Sequence, residues 1–70
     1  MLYEIVKYPN RKLYSSLLGS YVNFTDLKNI LDSGSEITVT DSEGKNVTKE
    51  IIHGVAKKHG LAKEILLEYI

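Results

Sequence analysis

The sequence contains no cysteine, so neither a disulfide nor a thiolate metal site can support the fold. Absence of disulfides is compatible with a reducing cytosol. No apolar run approaches the roughly 18 residues that a membrane-spanning helix needs. Met1-Leu2-Tyr3-Glu4 carry neither a positive n-region nor a long apolar stretch, so no secretory signal is read and a soluble, cytoplasmic setting is expected. Net charge is lacking too. Nine Lys/Arg balance nine Asp/Glu, which argues against a generic polyanion binder. At 70 residues the chain makes one small domain, residues 1–70. Such a domain buries only about 60–65% of its unfolded surface, and with disulfides excluded self-association is the expected support.

Proline and arginine occur once each, and both fall in Lys7-Tyr8-Pro9-Asn10-Arg11-Lys12-Leu13-Tyr14. Pro9 fixes its own φ and pushes Tyr8 toward an extended conformation, so a strand ending at Tyr8 is natural. Pro-Asn suits the central positions of a β-turn. Lys7, Arg11 and Lys12 therefore gather three positive charges around a tight turn, flanked by Tyr8 and Tyr14. That chemistry suits an anion. Charge along the chain is uneven: residues 15–44 set Lys28 against Asp26, Asp32, Glu36, Asp41 and Glu43, while residues 45–70 are again basic. A basic entry and a basic end can still present one positive face, and convergence of Lys7, Arg11 and Lys12 with Lys57 and Lys58 would favour DNA.

Residues 2–8 are rich in β-branched and aromatic types and read as a strand, with residues 11–15 as the returning arm of a hairpin. Ser15 to Ser20 reads as a loop and Tyr21-Val22 as the start of a third strand. Asn23 is a good helix N-cap with Asp26 three residues on, and Phe24, Leu27, Ile30 and Leu31 share one helical face. Gly34 is placed to end that helix. Ile37 and Val39 alternate with polar residues as in a half-buried strand, and residues 41–45 read as a turn. Thr48 is a candidate cap for a second helix with Ile51, Ile52, Val55 and Ala56 on its apolar face. Gly54 inside it marks either close packing or a weak spot. Residues 61–70 read as a third helix whose apolar arc is wider than packing on one core requires. Leu66, Leu67 and Ile70 are the candidate oligomerisation residues. The expected fold is α+β: a small antiparallel sheet of three to four strands, with an N-terminal hairpin, packed with two to three short helices on one face.

No catalytic set is present. His53 and His59 lie about 240° apart on a helix and cannot share a metal. The carboxylates show no pairing, and Gly44-Lys45 lacks the rest of a phosphate loop. Neither enzymatic activity nor a cofactor is expected. Two readings of the basic turn stay open: a structural hairpin whose charges keep an edge soluble, or a nucleic-acid grip in which Lys7, Arg11 and Lys12 contact phosphates and Asn10 or Arg11 reaches a base edge. Leu17 and Leu18, adjacent in a loop, are expected in the core or a dimer seam, with contact to an apolar ligand as the lesser reading.

The run Lys7-Tyr-Pro-Asn-Arg-Lys-Leu-Tyr14, then Tyr21, Phe24-x-x-Leu27, Gly34, Val39-x-Asp41, Gly44 and Val47-Thr48, resembles the N-terminal DNA-binding domain of polyhydroxyalkanoate (PHB/PHA) accumulation regulators over residues 5–56. The resemblance implies a bacterial, cytoplasmic transcriptional regulator, a repressor of polymer-granule genes, released when polymer or its granule surface competes. It implies double-stranded promoter DNA as partner; the homodimer or higher homo-oligomer is expected from the small core and the wide apolar arc of residues 61–70, and no membrane partner from the lack of a long apolar run. The residues it carries over as nucleic-acid contacts are Lys7, Tyr8, Asn10, Arg11, Lys12 and Tyr14, with Pro9 and Leu13 structural. Three departures stand out. Ser15-Ser16 replace a usual Asp-Thr pair, and Lys12 stands where arginine is common and loses bidentate geometry. The chain ends at Ile70, whereas family regulators generally continue. The alternative reading is an interaction module that meets granules or a protein partner through apolar surface.

Overall fold

The computed structural model describes residues 1–69. Seven elements follow in order: β1 (Leu2–Lys7), β2 (Leu13–Ser15), β3 (Ser20–Val22), α1 (Phe24–Asp32), β4 (Glu36–Asp41), α2 (Thr48–His59) and α3 (Lys63–Glu68). The strands form one sheet in the order β3-β2-β1-β4. The three N-terminal strands are an antiparallel meander, with Val6 opposite Tyr14 and Tyr14 opposite Tyr21. The α+β class is as expected, but the sheet is mixed, because β4 lies parallel to β1, Leu2 beside Glu36 through Lys7 beside Asp41. The cause is the crossover. A helix following β3 carries the chain back down the sheet, so the next strand must run in the direction of β3 and hence of β1.

One face of the sheet is buried. Ile5, Leu13, Val22, Ile37 and Val39 point to it and meet Leu27 and Leu31 of α1 and Ile51, Ile52 and Val55 of α2. Each such side chain contributes about 1.5–3 kcal/mol on leaving water. Helix α1 starts as its sequence implies. Asn23 Oδ1 accepts from Asp26 N at 2.8 Å and Asp26 Oδ2 accepts from Asn23 N at 3.0 Å, a complete capping box. Gly54 serves close packing: a Cβ there would stand 3.0 Å from Phe24 Cε2. Ser15, where the returning arm is expected to end and the loop to begin, is the last residue of β2 and fully buried. Its Oγ accepts from Leu18 N at 3.1 Å, tying the turn back to the end of β2. That turn leaves Leu17 and Leu18 about half exposed, not in the core.

Thr48 is not the cap of α2. The cap position is Val47, which makes no side-chain cap bond, while Asn46 Oδ1 accepts from Thr48 N at 3.0 Å. The Thr48 hydroxyl is used at the free edge of β4, where it accepts from Val39 N at 2.8 Å. The same edge donates Ile37 N to Tyr69 Oη at 2.9 Å and Asp41 N to the Lys45 carbonyl at 2.8 Å. All three outward N–H groups of β4 are satisfied, so that edge offers no ladder to another chain. Burial pushes the Tyr69 hydroxyl above its ordinary value of 10.0; the Ile37 N–H pulls the other way and Glu36 and Glu68 add to the rise. Helix α3 is shorter than expected. Leu61, Ile65, Leu66 and Tyr69 pack against the protein's own core, Leu67 is exposed, and Ile70 lies outside the described residues.

Candidate nucleic-acid interface

The β1–β2 connection runs over residues 8–12, and the Tyr8–Lys12 bond closes a three-residue loop within it. Tyr8 O accepts from Arg11 N at 3.0 Å, with Pro9 and Asn10 at the turn's centre, and Tyr8 N donates to Lys12 O at 2.9 Å. Asn10 Oδ1 accepts from Lys12 N at 3.1 Å, so this side chain holds the turn. Arg11 follows in the left-handed region, φ 66°, the only non-glycine residue at positive φ among the described residues. A turn followed by a left-handed residue is a favoured three-residue hairpin, but glycine usually takes that position. For an L-residue the conformation costs about 1–2 kcal/mol. The backbone thus holds the chain's single arginine at the hairpin tip at a cost to stability.

Beside the tip lies an open groove of about 800 Å³. Arg11 and Lys12 form one wall, the β3–α1 junction from Tyr21 to Thr25 forms the floor, and Lys58 and His59 close the other side. The far wall is the last turn of α2, where cations also meet the negative end of the helix. Thr25 Oγ1 approaches His59 Nε2 at 3.5 Å and links the start of α1 to the end of α2. Phe24, seated on Gly54, sets how closely the two helices approach. Among the described residues the one ion pair is Lys28–Asp32 at 2.6 Å, on the exposed side of α1. Arg11, Lys12 and Lys58 have no carboxylate within ion-pair distance there, so their charge is available to an anion in the groove.

The six residues singled out from the hairpin do not act as one cluster. Arg11 and Lys12 enter the groove. Lys7, Tyr8 and Pro9 border a second depression, with Asp41, Ser42 and Glu43, which Arg11 also lines from its other side, and Lys7 stands beside Asp41 in the sheet. Asn10 holds the turn. Tyr14 lies on the outer face of the sheet, edge-on to Tyr21 with ring centres 5.4 Å apart, and Lys12 Nζ sits 5.2 Å from the Tyr21 ring centre. Of the two C-terminal lysines, Lys58 reaches the groove and Lys57 does not line it. Tyr21, Thr25 and His59 are groove residues that sequence reasoning did not put forward as nucleic-acid contacts. The run Lys57-Lys58-His59 closing a helix was the available signal for His59, but only the tertiary fold carries it to a hairpin at the other end of the chain.

A family model described as "PHB/PHA accumulation regulator DNA-binding domain" matches residues 4–60, which contain the hairpin, the groove and both of its cationic walls. No curated protein and no solved structure matches the chain. No helix among the described residues is long and apolar enough to cross a membrane.

Proposed function

The chain belongs to the family of PHB/PHA accumulation regulator DNA-binding domains, and from that premise we propose that it grips duplex promoter DNA in the groove beside the hairpin tip. The observation that carries this reading is the convergence of Arg11, Lys12 and Lys58, from opposite ends of the sequence and without carboxylate partners, on one open groove. Arg11 and Lys58 contact successive phosphates across the groove. Arg11, held on the turn at positive φ, is also the group able to enter a DNA groove and read a base edge. Lys12 is a rim contact, held over Tyr21. Lys7 belongs to the structural side of the hairpin, because it stands beside Asp41 in the sheet, and Tyr8 does too, because its backbone closes the loop onto Arg11 and Lys12.

The regulator acts by occupancy. Bound at a promoter it excludes transcription, which makes it a repressor of polymer-granule genes, and competition from polymer or granule surface releases it. Backbone amide NMR titration with duplex DNA tests the site directly. Shifts are expected at 11–12, 21–25 and 58–59, with residues 41–43 unmoved. Shifts centred on 41–43, or spread over the outer face of the sheet alone, would overturn the assignment.

A further inference from the structure

With the groove read as the DNA surface, a premise this step rests on, we infer that His59 is a further contact in it, one that takes up a proton on meeting a phosphate, so that DNA affinity rises as pH falls. His59 ends α2, is exposed, and closes the groove beside Lys58, across from Arg11 and Lys12. Thr25 Oγ1 stands 3.5 Å from its Nε2. A hydroxyl can donate to that nitrogen or accept from it, so Thr25 steadies the ring in either charge state and leaves Nδ1 for a ligand. The neutral ring offers a phosphate one ordinary hydrogen bond. The protonated ring offers a charge-assisted one, roughly twice as strong, and offsets one more phosphate charge.

The surroundings couple the proton to the DNA. The hairpin presents Arg11 and Lys12 to the groove, β3 presents Tyr21, and α2 itself presents Lys58. From the start of α1 come the uncharged Asn23 and Thr25; the acid that follows them, Asp26, turns Oδ2 onto Asn23 N at 3.0 Å. Beyond His59, residues 60–62 carry no charge, and α3 opens with Lys63 and Glu64. Among the described residues no carboxylate lines the groove, so the counter-charge for an imidazolium has to come from a bound anion. Proton uptake and phosphate binding then strengthen each other by linkage. A lysine in this place would grip DNA alike at every pH, whereas imidazole is the side chain whose ordinary titration falls between about pH 5 and 8. The chain has one other histidine, His53, which is exposed but does not line the groove.

Anisotropy of the full chain on a labelled duplex from the gene's own upstream region, at constant ionic strength from about pH 8 down to about pH 5.5, tests the coupling. Wild-type affinity should rise about tenfold over that range, and the slope of log affinity against log salt should steepen by about 0.9. His59→Gln should lose both changes and His53→Gln should keep both. His59→Lys, a fixed cation, should show the steeper slope at either end of the range. Proton NMR of the imidazoles should find His59 titrating at higher pH in the complex than in the free protein, with His53 unmoved; circular dichroism confirms folding at each pH. Binding that needs Arg11 and Lys58 but stays flat with pH overturns this inference alone, as does a rise that persists in His59→Gln. Binding that survives both Arg11→Ala and Lys58→Ala, or no binding at any pH, overturns the groove reading and this inference with it.

Discussion

Arg11→Gly should make this protein more stable and a poorer DNA binder at once. Arg11 sits at φ 66°, where a Cβ costs about 1–2 kcal/mol. Glycine removes that cost but gives the unfolded chain more freedom, worth about 0.5–1 kcal/mol in the other direction. The net gain is roughly 0.5–1 kcal/mol, and at about 4–8 °C per kcal/mol for a domain of this size the melting temperature should rise by about 3–6 °C. Arg11→Ala separates the two effects. It removes the guanidinium but keeps a Cβ at the same backbone angle, so it should melt with the wild type. Both variants should lose one phosphate contact, seen as a fall of about 0.9 in the slope of log affinity against log salt. Differential scanning calorimetry with a salt-dependent DNA titration reads both quantities. Equal melting of the glycine and alanine variants, or a lower melting temperature for Arg11→Gly, would refute the strain account.

Gly54→Ala, favourable by about 1 kcal/mol in an unencumbered helix, should instead lower stability by about 1 kcal/mol here, because the new methyl meets the Phe24 ring at 3.0 Å. DNA affinity should fall with it, since Phe24 lines the groove, and a raised melting temperature would count against that packing. Asn23→Ala removes half of the α1 capping box and should cost about 1 kcal/mol in urea unfolding. Tyr69→Phe leaves the Ile37 N–H without its partner and should cost about 1–3 kcal/mol. The raised value of Tyr69 also has a sign. The folded state favours the neutral phenol and the unfolded state ionises first, so this contribution is intact below about pH 10 and is lost as pH rises through the folded-state value. Ultraviolet titration at tyrosinate absorbance should show one late-titrating group that is missing in Tyr69→Phe.

What the sequence discloses here is mostly local. Pro9-Asn10 announces a turn because proline presets one angle and asparagine bonds its own backbone, and that is how the hairpin closes. Asn23 and Asp26 announce the start of α1 because both halves of the cap lie within four residues. Thr48 misleads for the opposite reason. Its local signal is a helix cap, but a strand edge nine residues upstream competes for the hydroxyl and wins. Leu17 and Leu18 look like core residues, yet the buried Ser15 ties the turn so that both face outward. The parallel pairing of β4 depends on where α1 returns the chain, which no local pattern encodes. The same holds for the groove: hydrophobic patterning places Lys58 on a helix, but only the packing of Phe24 on Gly54 sets that helix end opposite Arg11.

The central claim is that DNA lies between Arg11 and Lys58. Fluorescence anisotropy against a labelled duplex from the gene's own upstream region, with a scrambled duplex beside it, tests this at low and near-physiological salt. The account predicts preference for the upstream duplex and weakening with salt. It also predicts comparable losses in Arg11→Ala and Lys58→Ala, with Lys7→Ala near wild type. Binding that survives both groove substitutions but fails in Lys7→Ala would contradict it.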